Sequence, residues 1–467
     1  MPTVLVLYPG LSDIRRHHLR RHRWALRLLG FHIVLADDTV DPEDLRAFDE
    51  VVPLPPAEEV GEAVGILERF CDGRRIDGVL AQWEPSLPAG SLLAHALGLP
   101  GPGVEAAFRS INKLVCRQVL ERAGVPVPAF ALAESAEDVK RFACRHGYPV
   151  VLKAVASTLG RLVTLVGDDG QVEAAVRGMR DRLALTPDVR RLVSFARAAG
   201  LDAGCDPTRE FLVESFCPGV PVETDGVVFR GEPLSYGITE QVLSPPPCFC
   251  VEGYLLPAER GEGATRRIEE VSRAAIEAVG LRDAGFSVEL REAEDAVRVI
   301  EVNGRLGWDE GFGDLFEALT GDQPLLHAAQ VALGRRPGWR PKPAAAAVAY
   351  TSCHEDALVT RVPDPREIRE AERAGARVAV MVSQGARTWT LNQPQARPHL
   401  AWAIATDRRS SRAAYQRARA AVDRLRFDLE PVAGEDAGAP AVAADAGGRS
   451  ARPGALPSAR RAPFTTL

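Results

Sequence analysis

Residues 284–307 read AGFSVELREAEDAVRVIEVNGRLG, two largely apolar runs on either side of an acidic turn. Alternate residues of a strand share a face, so Glu289 lies with Ser287, and Glu301 lies with Asn303 and Arg305. The REAEDA turn makes the two runs a hairpin, and a centre near 295 gives Glu289 and Glu301 matching parity. Two carboxylates opposed in a sheet repel by roughly 0.2–1 kcal/mol unless something positive sits between them, and a divalent ion is the simplest candidate. Two carboxylates and one amide, Glu289, Glu301 and Asn303, form an all-oxygen set that suits a hard cation such as magnesium. Arg305 beside it can hold a planar carboxylate or a phosphoryl group through two parallel N–H bonds. A solvated strand face is the plainer alternative for charges on alternate positions.

Lysines elsewhere favour the site. Lys153 ends the apolar run YPVVLK (148–153), where a lysine is costly to bury unless an anion meets it. Lys113 opens a helix directly after Asn112, a place where phosphate docks readily. The loop ASTLGR (156–161), with Thr158 and Gly160, can lay main-chain N–H groups over phosphates, although one glycine is a weak signal. A surface lysine and an ordinary hairpin are the alternatives.

Outward from these segments, strands at 3–10, 31–38 and 76–81 alternate with helices near 12–30, 58–70 and 86–98, which predicts a small parallel sheet of Rossmann-like type. No GxGxxG follows the first strand, so a dinucleotide is not expected. The basic run RRHHLRRHR (15–23) reads as the solvated face of a helix whose apolar side is Ile14, Trp24 and Leu28, with an anion contact as the alternative. From 112 to 335, strands and helices mix without strict alternation, an α+β pattern. Pro-rich sequence at 336–343 predicts a boundary. Strands near 345–351, 376–383 and 399–406 follow, with a helix near 410–426. From 431 the chain is Ala, Gly and Pro with few large apolar residues, and a disordered tail is expected.

Composition bounds the partners. The 467 residues carry a net charge of -6, which argues against nucleic acid as the main partner. Eight scattered cysteines fit a reducing, cytoplasmic setting, and the close pair Cys248 and Cys250 lacks a matching pair for zinc. The N-terminus lacks the charged lead of a secretory signal, and no apolar stretch approaches the ~20 residues that span a bilayer, so no membrane partner is expected. Cys353 and His354 in TSCHED have no evident catalytic partner and read as structural.

Taken in order, these pieces resemble the ATP-grasp superfamily, specifically its carboxylate-amine ligases with a biotin-carboxylase-like layout. The resemblance spans about residues 1–428 and rests on Lys113 with AGVPVP, PVVLK ending at Lys153, FLVESFCPG around Glu214, SVEL at Glu289, and EVNGR from Glu301 to Arg305. It divides the chain into a Rossmann-like pre-ATP-grasp domain (1–111), an ATP-grasp domain (112–335, subdomains 112–205 and 206–335), a C-terminal α+β domain (336–430) and the tail (431–467).

The resemblance implies ATP held between two subdomains, with Lys113, Lys153, Thr158 and Gly160 at the phosphates. Glu214, Phe216 and Cys217 would lie at the adenine, and Glu223 at the ribose. Magnesium, or manganese in its place, would sit on Glu289, Glu301 and Asn303. The implied reaction turns the carboxylate of an amino acid or peptide into an acyl phosphate, releases ADP, and lets an amine displace phosphate, chemistry suited to specialised-metabolite biosynthesis. Arg305 would steady the acyl phosphate and the oxyanion that follows.

The segment YGITEQVLSPPPCFCVEGYLLPAE (236–259) is similar to that preceding the acceptor loop in bacterial L-amino-acid ligases and carnosine-synthase relatives. This implies substrate contacts at Glu240 and Pro257; after Arg305 the usual glycine pair is replaced by Gly307-Trp308, where the tryptophan either walls off the substrate pocket or packs in the core. Leu162 departs from the pattern, standing where many relatives have glycine. A homodimer is an expectation from relatives alone. An ATP-grasp carboxylase, a nucleotide-pathway ligase and a non-catalytic nucleotide-binding regulator are the competing readings.

Overall fold

The computed structural model describes residues 1–10, 15–158, 160–245, 249–294, 296–307, 309–342, 344–388 and 399–432, without the side chains of 15–17. Ile14, Cys248, Trp308 and the tail from 433 lie outside the described residues. No helix among those described is long and apolar enough to cross a membrane.

The N-terminal region alternates strand and helix: β1 (Thr3–Leu7), α1 (Arg15–Leu28), β2 (His32–Asp37), α2 (Asp44–Ala47), β3 (Glu50–Pro53), α3 (Val60–Cys71), β4 (Gly78–Leu80), a 3-10 turn (Glu84–Ser86), α4 (Leu87–Ala96) and α5 (Val104–Ile111). Its four strands run parallel in the order β3-β2-β1-β4. The Rossmann-like expectation matches this sheet, while α2, β3 and α5 escape the sequence pattern because each is short.

The expected apolar side of α1 needs correction. Trp24 and Leu28 are 51% and 62% exposed, whereas His18, Leu19, His22, Ala25 and Leu26 are buried. Residues 19, 22 and 26 share a helical face, so the histidines belong to the core side. His18 Nδ1 meets Tyr8 Oη at 2.5 Å, and burial pushes His22 down to about 4, despite its bond to the His18 carbonyl. Arg20, Arg21 and Arg27 pair with Glu43, Asp314 and Asp49.

The second region comprises α6 (Lys113–Arg122), β5 (Phe130–Ala133), α7 (Ala136–His146), β6 (Val150–Ala154), β7 (Val163–Val166), α8 (Asp169–Leu183), α9 (Pro187–Ala199) and β8 (Phe211–Ser215). Its antiparallel sheet has the order β5-β8-β6-β7 and buries Leu152, Phe211 and Val213 against Val139, Phe142 and Val176 of the helices. Leu162, at the end of the β6–β7 loop, has φ +51°. That left-handed backbone favours glycine and costs a leucine roughly 1–2 kcal/mol, but the side chain is buried in this core and offsets the strain.

The remainder comprises β9 (Val220–Phe229), β10 (Glu232–Leu243), β11 (Val251–Leu256), α10 (Glu262–Val279), β12 (Ala284–Glu292), β13 (Val297–Asn303), α11 (Phe312–Thr320), α12 (Pro324–Ala332), β14 (Ala345–Ser352), β15 (Ala357–Arg361), α13 (Pro365–Glu372), β16 (Ala376–Val380), β17 (Arg387–Thr388), β18 (His399–Asp407), α14 (Ser411–Val422) and β19 (Asp428–Pro431). One eight-stranded sheet runs β13-β12-β9-β10-β11-β14-β18-β16. Because β11 pairs directly with β14, the expected boundary at 336 falls on a connection that returns to the same sheet. Val222, Val288 and Val299 on one face of this sheet pack with Ile268 and Ile276 of α10. The opposite face carries the polar residues that follow.

Candidate functional site

The register places Glu301 opposite Glu289, as the parity of the hairpin predicts, and Glu289 opposite Glu223 on the next strand. One step along, Asn303, Ser287 and Asp225 form a second row on the same face. The β12–β13 pairing shifts just beyond Glu289, and Ile300 is the extra residue. Its carbonyl accepts Arg117 Nη2 at 2.6 Å, so the bulge ties the hairpin to α6.

This face carries more negative charge than its own cations neutralise. Burial first, then repulsion from Glu301 and Glu223, pushes Glu289 up to about 8, against the pull of Arg305 and Lys113. Burial, with Glu289 adding to it, pushes Asp225 up to about 7. Among the described residues, neither Asp225 carboxylate oxygen nor Asn303 Nδ2, all buried, has a hydrogen-bond partner of good geometry, although Glu223 and Ser287 stand beside Asp225. Burial and Asp225 raise Glu223 as well, although Gln241 Nε2 donates to it. Oxygen-only donors with a deficit of positive charge fit a hard divalent cation. Among the described residues, no three His, Cys, Asp or Glu side chains are already gathered as a metal cluster. Glu301 Oε1 is engaged at 2.5 Å by Lys113.

The expected cations all reach this neighbourhood, each with a carboxylate of the chain. Asn112 caps α6 by accepting the Val115 N–H, which sets Lys113 at the first helical position. Lys113 Nζ also donates to the Ser157 carbonyl at 2.9 Å. Burial works against its charge, but Glu301 and Glu84 outweigh it and raise its pKa. One turn along the helix, fully buried Arg117 donates from Nε to Glu214 Oε1 at 2.8 Å, and Lys153 Nζ lies 2.7 Å from Glu214 Oε2. Burial alone raises Glu214, yet Arg117 and Lys153 hold it at about 2. Arg305 Nη2 lies 3.2 Å from Glu84 Oε2, and Leu306 N donates to Gln82 Oε1 at 3.2 Å, so the N-terminal region meets the segment that follows β13 here. In the β6–β7 loop, Thr158 donates to Asp188 from both its amide and its hydroxyl, and Gly160 has φ +68°.

Other expected residues are placed less centrally. Beyond the end of β8, Phe216 N donates to Pro149 O at 3.2 Å and Cys217 is buried, while Glu223, expected at the ribose, stands in the acidic row opposite Glu289. Glu223 faces Thr239 in register, so the adjacent Glu240 points to the opposite side of the sheet. There it pairs with Arg260 at 3.0 Å and Arg412 at 3.4 Å, and the structure does not bring it to Arg305. Pro257 is exposed beyond the end of β11. Gly307 packs so tightly that a Cβ would lie 2.2 Å from Phe312 and 2.9 Å from Asp225 Oδ1, which puts the Arg305–Gly307 turn against the second acidic row. His354 Nε2 meets Glu252 Oε1 at 2.9 Å, and Cys353 is buried.

Sequence reasoning misses Glu84, Arg117, Asp188 and Asp225. Two of these had a readable signal: Arg117 is four residues from Lys113 on one helical face, and Asp225 alternates with Glu223. Glu84 and Asp188 had none beyond an acid near a helix start.

Comparison with known proteins agrees with this architecture. The ATP-grasp N-terminal domain matches residues 25–101 and the ATP-grasp domain matches residues 146–309, together more than half of the chain. The chain belongs to the ATP-grasp family. Its fold is similar to that of an L-amino acid ligase from Bacillus licheniformis, with a TM-score of 0.72 and 21% identity over 92% of this chain and 98% of that one. It is 29% identical to an uncharacterized protein, y4rH, of Sinorhizobium fredii over 298 residues, 63% of this chain and 57% of that protein. Carnosine synthase 1 of Homo sapiens is 28% identical over 284 residues, 58% of this chain and 32% of the human protein.

Proposed function

We propose that the chain is an ATP-dependent, ADP-forming ligase that activates the carboxylate of an amino acid or peptide as an acyl phosphate and joins it to an amine. The observation that carries this reading is the pairing of Glu289 with Glu301 at the centre of a ring of cations. Glu301 interacts electrostatically with Lys113, Lys153 and Arg305 together, so metal-binding and anion-binding groups act as one site. A magnesium ion held by Glu289, Glu301 and Asn303, or manganese in its place, would neutralise charge on the phosphates of ATP.

Lys113 and Lys153 hold phosphate oxygens, and the Thr158–Gly160 loop covers them. The chain from Glu214 to Cys217 supplies the edge for the adenine, with the Glu214 carboxylate fixing Lys153 and Arg117 rather than reaching the base. Glu223 extends the acidic row beside the metal ligands. Arg305 exchanges Glu84 for the substrate carboxylate and then stabilises the acyl phosphate and the tetrahedral oxyanion, since its charge and N–H fork are in place before reaction. The amine displaces phosphate, and Gly307, where any side chain would strike Phe312, lets the turn that carries Arg305 lie close against Asp225. Glu240 lies on the opposite face of the sheet from this centre, and Pro257 is exposed beyond the end of β11.

The test is ADP release from magnesium-ATP across pairs of amino acids, with mass analysis of products. ADP formed only when a carboxylate and an amine are both present, with an amide product, is the expected result. Release that depends on bicarbonate indicates a carboxylase instead, and binding of ATP with no turnover on any pair indicates a regulator.

A further inference from the structure

The β6–β7 loop holds an anion that the chain itself supplies. Asp188, in the first turn of α9, is 5% exposed. Its Oδ2 accepts the Thr158 amide at 3.1 Å and the Thr158 hydroxyl at 3.2 Å, and lies 3.2 Å from Arg161 Nη2. Its Oδ1 pairs with Arg191. A main-chain N–H, a hydroxyl and a guanidinium converging on one oxygen form the donor set that a phosphate oxygen takes. Arg161 also folds back on the loop, with Nε donating to the Thr158 carbonyl at 3.2 Å.

We propose that Asp188 is an internal competitor for the nucleotide phosphates: it occupies the β6–β7 loop in the nucleotide-free chain and yields Thr158 and Arg161 when the triphosphate binds. This rests on the reading of the loop as part of an ATP site. The electrostatics give the sign. With Asp188 ionised, Arg161 and Arg191 present one net positive charge to an incoming polyphosphate; without that carboxylate they present two. An asparagine at 188 still offers an oxygen to the Thr158 amide, so the loop keeps its shape while the competing charge is gone. A role confined to shaping the loop has the opposite consequence, because any loss of the carboxylate then loosens the loop and weakens binding.

Calorimetric titration of the full chain with the magnesium complex of a β,γ-imido ATP analogue tests this. Asp188→Asn should bind the analogue about tenfold more tightly than wild type, with a steeper salt dependence, since one charge is removed at close range. Asp188→Glu, which keeps the charge, should stay near wild type. Unchanged or weaker binding by Asp188→Asn overturns the proposal while leaving the ATP site intact, whereas a folded wild type that does not bind the analogue overturns both. Arg161→Gln decides the matter if Asp188→Asn does not fold. It should weaken analogue binding about tenfold and leave adenosine binding unchanged, because Arg161 stands on the loop assigned to the phosphates. Equal analogue binding by Arg161→Gln and wild type refutes the competition.

Discussion

Glu214 and Glu289 are the same residue on two neighbouring sheets, and their surroundings drive them in opposite directions. Glu214 sits between Arg117 and Lys153 and is held at about 2, although burial opposes its charge. Glu289 sits between Glu301 and Glu223, and burial with that repulsion pushes it up to about 8. The first is a carboxylate fully met by the chain's own cations, with one positive charge to spare. The second, with Asp225 beside it, is charge-deficient, and in the proposed function a cation completes it. The difference separates a carboxylate that builds the site from one that binds with it.

The largest effect expected is on the closed side. Glu214→Gln leaves Arg117 and Lys153 buried together without the carboxylate they share and should destabilise the fold by about 3–5 kcal/mol in denaturant titration. On the open side, Glu289→Gln should lower the rate of ADP formation by about 10³-fold, yet raise the melting temperature at pH 8 in EDTA, because it removes a repulsion. Loss of activity with loss of stability would mean that Glu289 is a structural partner after all. Arg305→Lys should lower turnover by roughly 10²-fold with little change in melting, since a point charge cannot replace the fork that Glu84 now occupies. Smaller again is the acid limb of the stability curve. The contribution of Glu214 is present above its unfolded pKa near 4.5 and is lost as pH falls toward 2, so wild type should lose stability there more steeply than Glu214→Gln.

Much of this contrast is legible in the sequence, and the reasons are local. Alternation along SVEL and EVNGR gives the faces of Glu289 and Glu301 and makes their pairing compatible with a hairpin, but the bulge at Ile300 that brings them opposite each other is not legible in the sequence. A lysine ending an apolar strand signals an anion, and Lys153 indeed meets one, although from Glu214 rather than from a ligand alone. What sequence could not show is which distant acid answers which cation. Glu84 reaches Arg305 across 221 positions and Asp188 reaches Thr158 across 30, and both depend on how separate sheets pack. Glu240 illustrates the converse: similarity to relatives marked it, but its single-residue offset from Thr239 turns it to the far face. The buried histidines of α1 were hidden because a basic run reads as solvated until Tyr8 is seen beneath it. Trp308 lies outside the described residues.

The most direct measurement of the central claim is the unfolding free energy of wild type at pH 5 and pH 8, each in EDTA and in excess magnesium. Glu289 and Asp225 have folded pKa values raised to about 8 and about 7, so their unfavourable charging grows as pH rises from their unfolded values near 4 through that range. The metal-free chain should therefore be less stable at pH 8 than at pH 5, and magnesium should stabilise it at pH 8 but hardly at pH 5, where protons already fill the role of the cation. Magnesium stabilisation that is equal at both pH values, or absent at pH 8, would contradict the account.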